Sequence, residues 1–225
     1  MADQFSIAKE NTFRGKFLYR FLRIFVAPLI RLIWIREVKG LSNLPKSGVY
    51  IIAANHQSYL DFLCLQAVLP VRLTFLAAEK FYSSGFWRPI VELTGQIRVE
   101  RNADDKTEVI AKALEVLNQG RVLAIFPQGT RSRSGQIEKT YTGVARFALG
   151  AGAPVIPVGI KGAYEVLPPH EKWPKFKKII EIHIGGSVDL KKYRELPADP
   201  DTRRKATNKV MKKIAELAGL EYGEE

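Results

Sequence analysis

Short apolar runs rich in β-branched residues alternate along the chain with longer segments whose apolar residues recur at helical spacing. The predicted strands are 49–54, 72–77, 97–100, 122–126, 155–160 and 179–184. The predicted helices are 59–69, 86–93, 104–119, 142–149 and 201–218, and a proline-rich loop is predicted over 166–174. This alternation predicts an α/β fold in which helices cover a mostly parallel sheet.

A segment of different composition, residues 13–36, precedes the first of these strands. Its basic residues recur at helical spacing on one face, and bulky apolar residues cover the opposite face. Arg20, Arg23 and Arg31 interrupt any apolar stretch of the ~20 residues that a membrane-spanning helix needs. The same arginines, and the lack of a small-residue cleavage site after them, argue against a signal peptide. The pattern predicts an amphipathic helix that is kinked or broken near Pro28.

Two environments suit such a helix. It could pack on the protein's own core with its basic face in solvent, or lie in a membrane interface with its arginines on lipid phosphates. The density of aromatic residues favours the membrane interface. The residues expected to contact the membrane are Lys16, Phe17, Arg20, Phe21, Arg23, Phe25, Arg31 and Trp34. We therefore expect amphipathic membrane-anchoring helices over 1–39 and an α/β domain over 40–225.

Composition and charge narrow the classes of partner. A formal charge of +12 and an isoelectric point near 9.8 predict attraction to nucleic acid, a phospholipid surface or an acidic protein. No nucleic acid is expected, because the chain has no recognisable reading helix and mixes its basic residues with bulky apolar ones. The single cysteine, Cys64, has apolar neighbours and is expected to be a buried structural thiol. The three histidines and Cys64 lack the spacing of a zinc site, so no metal is expected.

The first predicted strand leads directly into a candidate for chemistry. His56 follows the strand and precedes Asp61 by five residues. Residues five apart on one helix do not face each other, so the two can meet only if His56 lies in the turn and Asp61 in the first helical turn. Ser58 is a suitable N-cap that would place Asp61 at the third helical position. The same spacing describes a capping box without catalysis, and this segment alone leaves both interpretations open.

Two more polar clusters end predicted strands. Residues 126–135 read FPQGTRSRSG, and Arg101 follows the strand at 97–100. Arginine side chains and exposed backbone N–H groups in such loops bind phosphate or carboxylate. The sequence has no GxSxG, GxxxxGK[ST] or GxGxxG motif and no acidic cluster for two metals. A histidine base near cations, without a nucleophile of its own, predicts that the nucleophile is a hydroxyl on a phosphate-bearing substrate.

The segments NHQSYLD, GQIRVERN, FPQGTRS and VIPV, in this order, resemble the four motifs of the glycerolipid acyltransferases, and most closely those of the bacterial 1-acylglycerol-3-phosphate acyltransferases. The resemblance covers about residues 40–165. It implies that His56 is the general base on the free hydroxyl of lysophosphatidic acid, that Asp61 orients His56, and that phosphatidic acid is made for phospholipid synthesis. It also implies an acyl-carrier-protein or coenzyme A thioester as the acyl donor, no bound cofactor, and a monotopic location on the cytoplasmic face of the cytoplasmic membrane.

The resemblance further implies a set of substrate-binding positions. Arg101 and Arg131 would hold the phosphate, and residues 155–158 would form the acyl side of the site. The full set is Asn55, Ser58, Arg101, Gln128, Gly129, Thr130, Arg131, Val155, Ile156 and Pro157.

Two positions depart from the family pattern. Gln128 stands where the family usually has glutamate, which removes a negative charge and keeps the size. Ala77 and Ala78 stand where family members often carry a phosphate-binding lysine, and Lys80 is the nearest replacement. If the missing carboxylate orients substrate, activity should be impaired although the fold is intact. The alternative function is a non-catalytic membrane protein that binds anionic lipid in the same basic groove.

Overall fold

The computed structural model describes residues 12–100, 105–197 and 199–224, and a seven-stranded sheet lies at its centre. The strands are β1 (Ile35–Lys39), β2 (Ile51–Ala54), β3 (Leu73–Ala78), β4 (Ile97–Val99), β5 (Val122–Ile125), β6 (Val155–Lys161) and β7 (Ile180–Ile184). They lie in the order β1-β7-β6-β2-β5-β3-β4, and among these described strands only the pair β6–β7 is antiparallel. The predicted mostly parallel α/β sheet is confirmed.

Helices cover both faces of this sheet. They are α1 (Phe13–Phe21), α2 (Ala27–Ile33), α3 (Leu60–Val68), α4 (Glu79–Ser83), α5 (Trp87–Leu93), α6 (Thr107–Asn118), α7 (Gly143–Ala151), α8 (Ala163–Val166), α9 (Lys191–Arg194) and α10 (Pro200–Ala218). Helices α2 and α3 pack on one face, and α6, α7 and α10 pack on the other. Strands β2 and β5 are therefore buried along their whole length, which explains their continuous apolar sequence.

Strand β1 differs from the sequence prediction, which extended the N-terminal helix to residue 36. Ile35 is buried and pairs with Ile180 of β7, Val38 packs against the same core, and Arg36 and Lys39 are exposed. An irregularity between Ile35 and Glu37 breaks the period of two and brings Ile35 and Val38 to the one covered face of this edge strand. Residues 35–39 thus belong to the sheet, although the sequence assigned them to the N-terminal helical segment over 1–39.

The N-terminal helix passes Pro28 without a break. A π-helical turn, Leu22–Val26, joins α1 to α2, and the Ala27 N–H donates to the carbonyl of Leu22 five residues earlier. Pro28 has no N–H to offer the carbonyl four residues before it, and its ring would crowd that group in a regular α-helix. The wider turn makes room for the ring. The kink or break predicted near Pro28 is therefore a π-helical turn within a helix that continues from Phe13 to Ile33.

One edge of the sheet gathers the loops that matter for function. The parallel strands β2, β3, β4, β5 and β6 all end at this edge, which we call the carboxyl edge. Because β7 is antiparallel to β6, the connection from β6 to β7 also lies there, as does the start of β1. The end of the N-terminal helix and the loops after β2 and β5 therefore share one side of the molecule.

Candidate active site

His56 and Asp61 meet in the loop between β2 and α3. The Nδ1 atom of His56 lies 2.8 Å from Oδ2 of Asp61, whose side chain is fully buried. The imidazole stacks on the ring of Phe126 at a centroid distance of 4.1 Å. With Nδ1 bonded to the carboxylate and one ring face covered, Nε2 is the nitrogen left to act on a substrate.

The carboxylate of Asp61 also builds the loop that holds the histidine. Its Oδ2 accepts hydrogen bonds from the backbone N–H groups of Gln57 and Ser58, at 2.7 and 2.8 Å. The bond to Ser58 is half of a capping box, while the Ser58 hydroxyl accepts from the Leu60 N–H. Capping and orientation of the imidazole are thus performed by the same oxygen, so the two interpretations of this segment do not exclude each other.

The loop after β5 is bonded to the His56 loop at two points. The backbone N–H of His56 donates to Oε1 of Gln128 at 2.8 Å, and the Ser132 N–H donates to the carbonyl of His56 at 2.8 Å. Gln128 is buried, so its amide oxygen serves a backbone group that would otherwise be unsatisfied. Gly129 follows with a φ of +67°, where a Cβ would lie 3.0 Å from the Tyr141 ring, and this position requires glycine.

A largely apolar cavity of about 200 Å³ opens beside His56. The N-terminal helix forms one wall, and α3, β3 and α5 form the others. The wall from the N-terminal helix consists of Tyr19, Leu22, Arg23, Val26, Ala27 and Ile30. His56, Thr130 and Arg131 line the same cavity, so a ligand inside it would reach the imidazole.

Two cations converge on one tyrosine at this cavity. The guanidinium carbon of Arg131 lies 3.5 Å from the centroid of the Tyr59 ring, and Nζ of Lys80 donates to the Tyr59 hydroxyl at 2.6 Å. Both cations line the cavity that His56 lines. Lys80, considered in the sequence only as a replacement for the missing lysine, therefore points toward the site.

Several predicted substrate-binding residues instead hold the fold together. Asn55 exchanges two hydrogen bonds with the backbone of Ile160, joining the end of β2 to β6. The Ser58 hydroxyl donates to the carbonyl of Leu167. Val155, Ile156 and Pro157 are buried within β6 and do not line the cavity beside His56, because that strand lies under helices on both faces. Arg101 lies outside the described residues.

The predicted membrane-contacting residues divide into two groups. Lys16, Phe17, Arg20, Phe21, Phe25 and Arg31 are exposed, and Trp34 is half-buried. Arg23 instead faces the protein, where its Nη1 donates to the carbonyls of Gln66 and Leu69 at the end of α3. Its assignment to lipid phosphate is not supported, because the last carbonyls of a helix are strong acceptors that lack helical partners.

Three features of the site were not predicted from the sequence: Tyr59, Phe126 and the cavity wall from the N-terminal helix. The position of Phe126, between β5 and the loop that contains Gln128, marks it as a residue near the site. Nothing in the sequence indicated that its ring stacks on His56. The pairing of the N-terminal helix with α3 is a tertiary contact and has no local signal.

Cys64 was predicted correctly to be a buried thiol. Its burial, with the nearby charge of Asp61, raises the pKa of the thiol well above the usual range.

Glu37, Glu181 and His183, on the adjacent strands β1 and β7, form a second polar cluster, with ligand atoms within 4.8 Å of one another. Each carboxylate already has a cationic neighbour: Lys39 lies 2.8 Å from Glu37, and Arg36 lies 3.0 Å from Glu181. These ion pairs account for the cluster.

Across the described ranges, no helix has the length and apolar character needed to cross a membrane.

Comparison with known proteins places this geometry in a family. The family model "Acyltransferase" matches residues 35–161, which is more than half of the 225 residues. The human 1-acyl-sn-glycerol-3-phosphate acyltransferase alpha is 30% identical over 142 residues, covering 62% of this chain and 50% of the human protein. The 1-acyl-sn-glycerol-3-phosphate acyltransferase of Borreliella burgdorferi is 29% identical over 131 residues, covering 56% of this chain and 52% of its own length.

The chain spans about half the length of the curated relatives it matches. Among solved structures, the LPA acyltransferase PlsC from Thermotoga maritima superimposes with a TM-score of 0.70 at 22% identity, covering 93% of this chain and 83% of that one. That likeness shows the shared fold. The family model, matched across the strands that carry His56, Asp61 and the loop after β5, shows that the chain belongs to the acyltransferase family.

Proposed function

We propose that this chain transfers an acyl group from a fatty acyl thioester to the free hydroxyl of lysophosphatidic acid, giving phosphatidic acid at a membrane surface. The observation that carries the proposal is the His56–Asp61 pair, whose histidine lines an apolar cavity that two cations also line. The printed names of the relatives, 1-acyl-sn-glycerol-3-phosphate acyltransferase, support the same reaction. A monotopic location on the cytoplasmic face of the membrane is part of the proposal.

In this mechanism, Nε2 of His56 accepts the proton of the substrate hydroxyl as its oxygen attacks the thioester carbonyl carbon. The carboxylate of Asp61 holds Nδ1 and stabilises the imidazolium that forms. The C–S bond then breaks, and the departing thiolate takes the proton back from Nε2. The new ester is phosphatidic acid, and the free thiol is that of acyl carrier protein or coenzyme A.

The apolar cavity suits the acyl chain. Its walls come from the N-terminal helix and from α3, so we assign the acyl side of the site to these elements rather than to residues 155–158. Burial of methylene groups against such walls contributes about 0.8 kcal/mol for each group. The cavity opens toward His56, which would place the reacting carbonyl or hydroxyl at the imidazole.

Arg131 and Lys80 suit the phosphate of the acceptor. The two cations share Tyr59 as a neighbour, so a dianionic phosphate near the Tyr59 hydroxyl would meet both charges. Lys80 lies two residues beyond Ala78, and it supplies from α4 a charge that family members often place at the end of β3.

Gln128 is compatible with activity in this proposal. Its contact with the site is a hydrogen bond accepted from the His56 N–H, and an amide oxygen accepts such a bond as a carboxylate oxygen does. The removal of a charge at this position therefore leaves the position of the base intact.

The test is transfer of a labelled acyl group to lysophosphatidic acid, measured separately with acyl-carrier-protein and coenzyme A donors. We expect phosphatidic acid from at least one donor and a loss of kcat of ~10³-fold or more in His56→Ala. His170→Ala removes an exposed histidine and is the matched control, expected to keep full activity. Salt-dependent binding to anionic vesicles with no transfer from either donor would contradict the proposal in favour of the non-catalytic lipid-binding alternative.

A further inference from the structure

The connection from α8 to β7 carries a second exposed apolar and basic surface. Trp173 and Phe176 have exposed fractions of 83% and 82%, among the highest of any large apolar residue in the described chain. Four exposed lysines surround them, Lys172, Lys175, Lys177 and Lys178. We call this surface, residues 172–178, the aromatic–lysine loop.

The loop is held in place by specific contacts. The Lys175 N–H donates to the carbonyl of Val166 at 2.9 Å, and Nε1 of Trp34 donates to the carbonyl of Lys175 at 3.0 Å. The rings of Trp34 and Phe176 stack with a centroid distance of 6.4 Å. Trp173 and Phe176 are therefore presented to the outside by a fixed backbone, although burial in the core would be their usual place.

Trp34 connects the loop to the N-terminal helix. The exposed side of that helix carries Phe13, Phe17, Phe21, Ile24, Phe25, Leu29 and Leu32, and Trp34 follows two residues after Leu32. The stack of Phe176 on Trp34 thus extends the apolar exposed side of the helix onto a second element. A single exposed helix face has several explanations, but two elements that present aromatic rings next to each other indicate one shared surface.

The loop also lies at the carboxyl edge of the sheet, on the side of His56. It connects β6 to β7 there, and Leu167, just before it, accepts a hydrogen bond from Ser58 of the His56 loop. A partner that binds the loop therefore approaches the side of the molecule where the active-site loops lie.

We propose that the aromatic–lysine loop is a second membrane contact, in which Trp173 and Phe176 enter the interface of an anionic phospholipid bilayer and the four lysines contact its headgroups. Aromatic side chains favour the headgroup level, and lysines next to them are attracted to negative lipid. An acidic protein would match the lysines but not two rings exposed beside the apolar face of a helix. The inference rests on the membrane setting of the proposed function and does not require acyl transfer.

The test is binding of the full chain to vesicles of phosphatidylcholine with and without phosphatidylglycerol, in the absence of substrate. Trp173→Ala combined with Phe176→Ala should weaken binding to both vesicles by ~10-fold or more. Replacing the four lysines with glutamine should weaken binding to the anionic vesicles by about fivefold for each lysine and have little effect on the neutral ones.

A matched control uses exposed residues of similar type on the opposite face of the sheet. Lys191→Gln, Lys192→Gln and Leu196→Ala, combined, should leave vesicle binding unchanged.

Brominated lipids report the depth of tryptophan in the bilayer directly: they should quench the fluorescence of the unmodified chain more than that of Trp173→Phe. Transfer to lysophosphatidic acid in detergent micelles should be retained by the aromatic double variant, which separates a failure of this inference from a failure of the proposed reaction.

Equal quenching in the unmodified chain and in Trp173→Phe, with unchanged vesicle binding in the aromatic double variant, would overturn the proposal. Loss of binding to acyl carrier protein in the lysine variant, with vesicle binding intact, would overturn it in favour of an acidic protein partner.

Discussion

Gln128 shows how a residue can depart from a family pattern and keep one physical role. The sequence suggested that the loss of a carboxylate would impair the site, because charge was the visible difference. In the structure, its oxygen accepts the hydrogen bond of the His56 N–H. The relevant property is therefore an acceptor atom in a buried place, which glutamine and glutamate share.

This role predicts different outcomes for two substitutions. Gln128→Leu removes the acceptor, leaves a buried N–H unpaired at a cost of about 1–3 kcal/mol, and should lower kcat by ~10²-fold through misplacement of His56. Gln128→Glu keeps the acceptor and should retain kcat close to that of the unmodified chain. Steady-state kinetics on both variants is the measurement. An unchanged kcat in Gln128→Leu together with a large change in Gln128→Glu would show that charge and not the hydrogen bond matters.

Tyr59 is the second residue whose role came only from the structure. It receives Arg131 on its ring and Lys80 on its hydroxyl, and so it sets the separation of the two charges proposed to bind phosphate. Neither contact is visible in NHQSYLD, where Tyr59 is one of the positions between His56 and Asp61.

Tyr59→Phe and Lys80→Gln should each raise KM for lysophosphatidic acid by ~10-fold while changing kcat less. Transfer to an acceptor without phosphate, such as a monoacylglycerol, should be unaffected by either change. Lys192→Gln is the control, because Lys192 also lies over a tyrosine ring, that of Tyr193 on the opposite face. A fall in kcat for both acceptors would point instead to a general disturbance of the His56 loop.

At the scale of elements, Gly159 allows α10 to pack directly onto β6. A Cβ on Gly159 would lie 2.3 Å from the Ala218 nitrogen and 2.3 Å from the Leu217 carbonyl carbon. Both are backbone atoms, which cannot turn away as a flexible side chain would. The long C-terminal helix therefore depends on a strand residue without a side chain.

Gly159→Ala should lower the free energy of unfolding by about 3 kcal/mol, because the helix must move away from the sheet. Urea denaturation followed by circular dichroism would measure this as a lower midpoint. Gly186→Ala is the matched control, since a Cβ there meets nothing within 4 Å, and its midpoint should not change. Equal midpoints for the two variants would show that α10 can shift without loss of stability.

At the scale of the whole molecule, the sequence predicted the sheet and the contact between His56 and Asp61 well. Each of the six predicted strands corresponds to an observed strand. The runs at β2, β5 and β6 are buried on both faces, which explains their continuous apolar sequence. His56 and Asp61 are close in sequence, so local spacing was enough to pair them. The edge strand β1 was missed, because it is short, has no regular alternation of buried and exposed residues, and directly follows an apolar helix.

What the sequence did not predict are contacts between distant segments. The cavity joins the N-terminal helix to α3, the proposed phosphate site joins Lys80 to Arg131 through Tyr59, and Trp34 reaches the loop near residue 175. Each of these contacts depends on how helices and strands pack against one another. The spacing of apolar residues along one helix or strand does not specify that packing. The proline-rich loop was predicted as a connection. Only the structure shows that Trp173 in this loop, and Phe176 just after it, are exposed.

The π-helical turn at Leu22–Val26 has a consequence for natural and engineered variation. In a regular α-helix each residue advances by about 100°, so a π-helical turn acts as one inserted residue. Deletion of one residue there would restore a regular α-helix, keep Tyr19 on the side of the cavity, and crowd the Pro28 ring against the carbonyl four residues before it. Deletion of one residue within the regular helix Ala27–Ile33 would instead rotate α1 by about 100° and carry its exposed aromatic rings and Tyr19 away from their present sides. Orientation of the N-terminal segment thus tolerates the loss of one residue at this turn, but not the loss of one residue in the regular helix that follows it.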